Sequence, residues 1–129
     1  MPINAKPFGC SEKFDWGADI HSVVYDGQLL IRVLRNRNRY DGIEVKFSQV
    51  DGFRLLDEIS LAEYWIDNNF PRGFPVLEVL DGGWAKEEDR RLGYSQHQRE
   101  WIIVTAGASV SVFSKHEPVI IDASWAKPA

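Results

Sequence analysis

The sequence predicts a mainly β (α+β) domain, an antiparallel β-sandwich or a partly open barrel carrying one short helix. Two observations predict it. About seven short apolar runs of strand length are separated by Gly-, Asp- and Asn-rich turn signals. Those runs do not alternate with long amphipathic helices, so a doubly wound parallel sheet is not expected. At 129 residues the chain suits one domain, 1–129.

The segment 1–16 is punctuated by Pro and Gly and reads as a surface arm, pinned by Phe8, Phe14 and Trp16. Ser22 to Tyr25, the dipeptide Asp26-Gly27 and the run Gln28 to Leu34 form a hairpin signal, because Gly accepts positive φ in a two-residue turn. In the second of these strands Leu29, Ile31 and Val33 share one face and Leu30, Arg32 and Leu34 the other, so both faces carry apolar groups. Arg35 to Gly42 is a loop tip. Ile43, Val45 and Phe47 then alternate with Glu44, Lys46 and Ser48, the period of a strand with one wet face.

After Asp51-Gly52 the run Phe53-Arg-Leu-Leu56 continues as a strand. Ser60-Leu-Ala-Glu63 matches a capping box, with Leu61, Tyr64 and Trp65 on one face, and predicts the short helix over Ser60–Asp67. Asn68, Asn69 and Pro71 stop it. Phe74 to Leu80 is a strand whose Pro75 suits an edge or a first position. Gly82-Gly83-Trp84 is a turn landing on an aromatic, and Ala85 to Leu92 has the length for a helical turn of mostly charged residues. Trp101 to Thr105 and Ser109 to Phe113 make a second hairpin, Pro118 to Asp122 a last strand, and 124–129 a loose tail apart from Trp125.

The charge balance, −4 at neutral pH, argues against a nucleic-acid binder, which carries a strongly basic face. One cysteine, Cys10, leaves no intrachain disulfide and no cysteine metal site. Neither a secretory leader pattern nor an apolar run of about 20 residues is visible, which points to the cytoplasm and away from the membrane.

Candidate chemistry is sparse. His21, His97 and His116 share no spacing and read as loop residues. Asp57 and Glu58, with Glu63, form an acid cluster; the helix start accounts for Glu63 and draws on Glu58, Asp57 stands before the cap, and Asp57 and Glu58 are the weak catalytic candidates. Arg35, Arg37 and Arg39, with Tyr40 as a stacking surface, form a basic tip able to grip an acidic protein surface or RNA. Trp65, Trp84 and Trp101 could line an aromatic pocket. No metal or cofactor motif is present.

The stretch Phe53-Arg-Leu-Leu-Asp-Glu-Ile-Ser-Leu-Ala-Glu-Tyr-Trp65, followed by Gly82-Gly-Trp84 and Glu100-Trp-Ile-Ile-Val-Thr105, resembles a family of small bacterial domains of unknown function. In that family an F-R-x-x-D-E-x-x-L-x-x-[YF]-W segment precedes a GGW turn and a final hairpin. The likeness spans Ile43 to Phe113 and departs at Ile59, where the pattern has a small residue. By analogy such domains are similar to the immunity-type proteins of bacterial toxin systems; the resemblance implies no catalytic residues. The expectation is therefore a non-enzymatic cytoplasmic domain that binds protein, as an immunity-type inhibitor or a self-associating subunit. The alternatives are a small-ligand binder or enzyme with a carboxylate near the tryptophans, and RNA binding through the arginine tip.

Overall fold

The computed structural model describes residues 4–9, 14, 18–36, 40–57, 73–95, 97–105 and 107–125. Its strands are β1 (Asn4–Pro7), β2 (Asp19–Tyr25), β3 (Leu29–Leu34), β4 (Asp41–Phe47), β5 (Gly52–Asp57), β6 (Val76–Asp81), β7 (Glu100–Val104), β8 (Ala108–Phe113) and β9 (Val119–Ser124). The helix α1 covers Trp84–Leu92. The strands form a five-stranded sheet in the order β1-β6-β7-β8-β5 and a four-stranded sheet in the order β2-β3-β4-β9. Every pairing among the described residues is antiparallel, and the two sheets stack as an open sandwich rather than a closed barrel.

Period-2 alternation decides what enters the core. Leu29, Ile31, Val33, Ile43, Val45 and Phe47 of the smaller sheet meet Val76, Trp101, Ile103, Val110 and Val112 of the larger. Trp101 is fully buried, its ring edge-on to Phe8 at 4.9 Å, and its indole Nε1 donates to the Ser114 carbonyl at 3.0 Å. Partnering that N–H is what makes burying an indole tolerable. Arg99 covers the ring from the rim of the core, its guanidinium 4.6 Å from the Trp101 ring centroid and bonded to Glu78 at 2.7 Å.

The five-stranded sheet is covered on its outer face as well, where Ala5, Leu77, Ile102 and Val104 are buried. Ser109 and Ser111 share that face, fully buried, and their hydroxyls have no hydrogen-bond partner among the described residues. Strands β7 and β8 are thus buried on both sides.

Several elements differ from the sequence reading. The arm contains a strand, β1, paired with β6, and Phe14 behind it is buried. Pro75 stands just before β6, which is an inner strand, and its carbonyl accepts from Val104. The charged stretch after Trp84 is a nine-residue helix, held by Trp84 Nε1 to Glu88 at 3.2 Å and Arg91 to Glu88 at 2.6 Å. Gly93 ends α1 at φ 81°, donating to the Asp89 carbonyl. Ser124 closes β9 and the Trp125 N–H donates to the Tyr40 carbonyl at 2.7 Å, while the rest of the expected tail, 126–129, lies outside the described residues. The helix expected over Ser60–Asp67 lies outside the described residues.

Candidate functional site

Two places combine unusual burial with unusual exposure. The first is the start of α1. Gly83 precedes it in an extended conformation and has no side chain to cap it. The cap comes from the next strand. Glu100, 2 % exposed at the head of β7, turns both carboxylate oxygens to the helix, accepting from Trp84 N–H at 3.1 Å and Ala85 N–H at 2.8 Å. An acid placed there satisfies two amides that have no intrahelical acceptor and faces the positive end of the helix dipole.

Burial pushes the Glu100 carboxyl above the ordinary carboxylate range, against the pull of the Ala85 and Trp84 amides and of Arg54. Trp84 lies stacked on Phe113, with centroids 4.0 Å apart, and the Arg54 guanidinium sits 4.8 Å from its ring. Beside this cap is a polar recess of about 170 Å³, bordered by Asp81, Lys86, His97, Gln98 and Glu100. His97 adopts the left-handed conformation, φ 54°, with its N–H donating to Ser95 Oγ at 3.1 Å. The recess is small beside the roughly 300–1,000 Å³ of ordinary ligand pockets. With both Glu100 oxygens committed to backbone, the arrangement holds a helix against a sheet.

The second place is a flank of the sandwich. Phe53 and Leu55 of β5 pair across the sheet with Val112 and Val110, so all four point toward the opposite sheet. Val110 and Val112 are fully buried, whereas Phe53 is 38 % and Leu55 63 % exposed. The cause is strand number. The smaller sheet ends at β2, which lies against β8, and β5 projects beyond it. Tyr25, at the end of β2 and 54 % exposed, leans over Phe53 with centroids 5.6 Å apart. Ser22 to Tyr25 carries no charge and no proline, whereas the other sheet edges carry Lys6 and Pro7 in β1, Arg54 in β5 and Asp122 in β9. Charges and prolines protect an edge from pairing; in β2 the charge is Asp19 at its start and the irregularity lies between Ile20 and Ser22, so its second half is the unprotected part.

Comparison with protein-family models, with curated proteins and with solved structures finds no match. The functional reading therefore rests on these two places and on where the candidates from the sequence fall.

Trp84 is at the first place, stacked and half-buried. Trp101 is a fully buried core residue. Arg35 is engaged: its guanidinium lies 3.7 Å from Asp41 and from Asp122, and 4.8 Å from the Phe14 ring centroid. Tyr40 is half-buried and supplies the carbonyl that anchors Trp125. Asp57 closes β5, but its side chain, with Glu58, Arg37, Arg39 and Trp65, lies outside the described residues. The histidines stay apart: His21 stacks on Trp125 at 5.8 Å, His116 meets Gln49 at 3.1 Å, and His97 borders the recess. Among the described residues no three His, Cys, Asp or Glu side chains could hold a metal ion, and no helix is long and apolar enough to cross a membrane.

Sequence reasoning missed Glu100, Arg54 and the flank. Glu100 reads as one more charge before an apolar strand. The available signal was Gly82-Gly83 just ahead of a helix that lacks a capping side chain of its own.

Proposed function

We propose that this domain is a non-enzymatic, protein-binding β-sandwich of the cytoplasm that docks its partner on the flank formed by Tyr25, Phe53 and Leu55. One observation carries the reading. A strand face that is buried on β8 is left uncovered on the adjoining β5, so Leu55 meets solvent at 63 % exposure on the core-facing side of its sheet. Contiguous exposed apolar patches of a few hundred Å² are often functional surfaces. The committed oxygens of Glu100 support the non-enzymatic part, since the most buried acid already has an architectural task. An immunity-type role fits the same reading: a chain of charge −4 is suited to neutralising a cationic partner.

The test is photo-crosslinking in native lysate with p-benzoylphenylalanine at position 55, and at position 119 on the outer face of the smaller sheet as reference. The reading expects protein adducts from position 55 that exceed those from 119. Equal or absent adducts at 55 defeat it.

A further inference from the structure

We infer that the flank closes on a second copy of this chain in a lap joint, β5 of each protomer adding to the β2 edge of the other. The inference rests on the protein-binding reading above and names the partner.

Strand direction comes first. At one end of the sandwich Tyr25 adjoins Phe53 and Phe47 adjoins Trp101. At the other, Arg35 lies over Phe14, whose N–H donates to the Gly73 carbonyl just ahead of β6. Taken with the registers within each sheet, β2 ends where β5 begins, and the two strands run in opposite senses.

Among the described residues the profile is a step: five strands over four, with β5 projecting by one strand, about 4.8 Å of sheet width. A two-fold axis parallel to the strands preserves every strand's direction and exchanges the two layers. It places the partner's β5 beside β2, in the layer where the smaller sheet stops. That new pair is antiparallel, like every pair already present. Phe53 and Leu55 then face their own symmetry mates across the roughly 10 Å gap between sheets.

Other occupants satisfy less. Pairing β2 to β2 in one plane drives the projecting β5 into the partner's β8. A lone extended segment from another protein would cover the ledge but leave the outer edge of β5 without a strand neighbour among the described residues. The lap joint closes both edges and both ledges at once.

The charges confine the seam to the first half of β5. Ser22 to Tyr25 is uncharged and Arg54 points to the opposite face of β5, toward Trp84, whereas Asp19 at the start of β2 comes to the end of β5 that carries Asp57. The three side chains expose roughly 300 Å² per protomer, below the ~800 Å² of a standard interface before the strand edges are added. The dimer is accordingly reversible, with a dissociation constant on the order of 1–100 μM.

The experiment is sedimentation velocity on the full chain across that concentration range and above it. The wild type is expected to pass from monomer to dimer. Leu55→Glu, which opposes two carboxylates across the axis, is expected to raise the dissociation constant by about 100-fold or more, and Tyr25→Lys to weaken the dimer independently. Both sites are largely exposed, so unchanged melting temperatures should accompany these losses. Val119→Glu, on the outer face of the smaller sheet, should leave the dimer intact. A wild type that stays monomeric, a dimer indifferent to Leu55→Glu, or one lost in Val119→Glu but kept in Leu55→Glu overturns the lap joint. A monomer that still crosslinks another protein through position 55 overturns self-pairing alone; a monomer without adducts overturns the protein-binding reading too.

Discussion

Gly83 and Glu100 are fitted to one another: a Cβ added to Gly83 would stand 2.8 Å from both oxygens of the Glu100 carboxylate and 2.8 Å from Cγ1 of Val79. The glycine is there because an acid from another strand occupies the space its side chain would fill. Two neighbouring glycines thus have different reasons, since Gly82 alone of the pair takes a positive φ, 80°.

Gly83→Ala is expected to destabilise the domain by about 1–3 kcal/mol, because the methyl must displace either the capping carboxylate or the β6 side chain. Urea denaturation compares it with Gly93→Ala, which meets no neighbouring atom but is strained by its φ of +81°. A loss in Gly83→Ala accompanied by unchanged helical circular dichroism would show the helix settling without its cap.

Glu100 makes stability depend on pH in a stated direction. Its carboxyl titrates above the unfolded value of 4.5 because burial disfavours the charge. Between that value and the raised one the native state holds the extra proton, so this group's contribution is fully present below 4.5 and declines as pH rises through the native value. Glu100→Gln should abolish that slope, and because its amide nitrogen cannot accept from a helix N–H it should sit about 1 kcal/mol below the wild type in acid, the gap narrowing as pH rises. Glu100→Ala, which leaves two helix amides uncapped, should lose about 2–3 kcal/mol. Chemical denaturation from acid to neutral pH reads both; a Gln variant parallel to the wild type refutes the account.

Ser111→Ala is expected to stabilise the protein by about 1 kcal/mol, and Ser109→Ala similarly, since each removes a fully buried hydroxyl lacking a partner among the described residues. A shift of the denaturant midpoint at constant slope measures it. A loss in either variant would reveal a hydrogen bond that the described residues do not supply.

Trp84→Ala should cost about 2–4 kcal/mol, because it uncovers Phe113 and releases Arg54 from its ring. Trp84→Phe keeps the stack and loses only the bond to Glu88, at about 1 kcal/mol. Equal losses in the two variants would mean that the indole N–H, not the stacked face, holds α1.

Local chemistry was legible in the sequence. The turn at Asp26-Gly27 and the alternation through β4 come from neighbouring residues and the structure keeps both, with Gly27 at φ 99°, although Tyr25 pairs with Leu29 across three residues, Asp26 to Gln28, rather than two. Pairings between distant segments were not legible: nothing in Asn4–Pro7 announces β6, and nothing in Gly52–Asp57 announces β8. Trp84 and Trp101 looked alike because β7 is buried on both faces, so alternation is silent around Trp101. The overhang of β5 was invisible for the same reason. It is a property of how many strands each sheet contains, and no residue in Phe53 to Leu55 encodes that number.

The pairing of β4 with β9 joins Val45 to Ile120. At a synthesis rate of roughly 5–20 residues per second, the far edge of β4 waits about 4–15 s after its own emergence for its neighbour to be made. Until then, of its two strand neighbours, only β3 is available to β4. Lys46, exposed on the face of that strand opposite Val45, is the type of charge that discourages stray pairing at such an open edge.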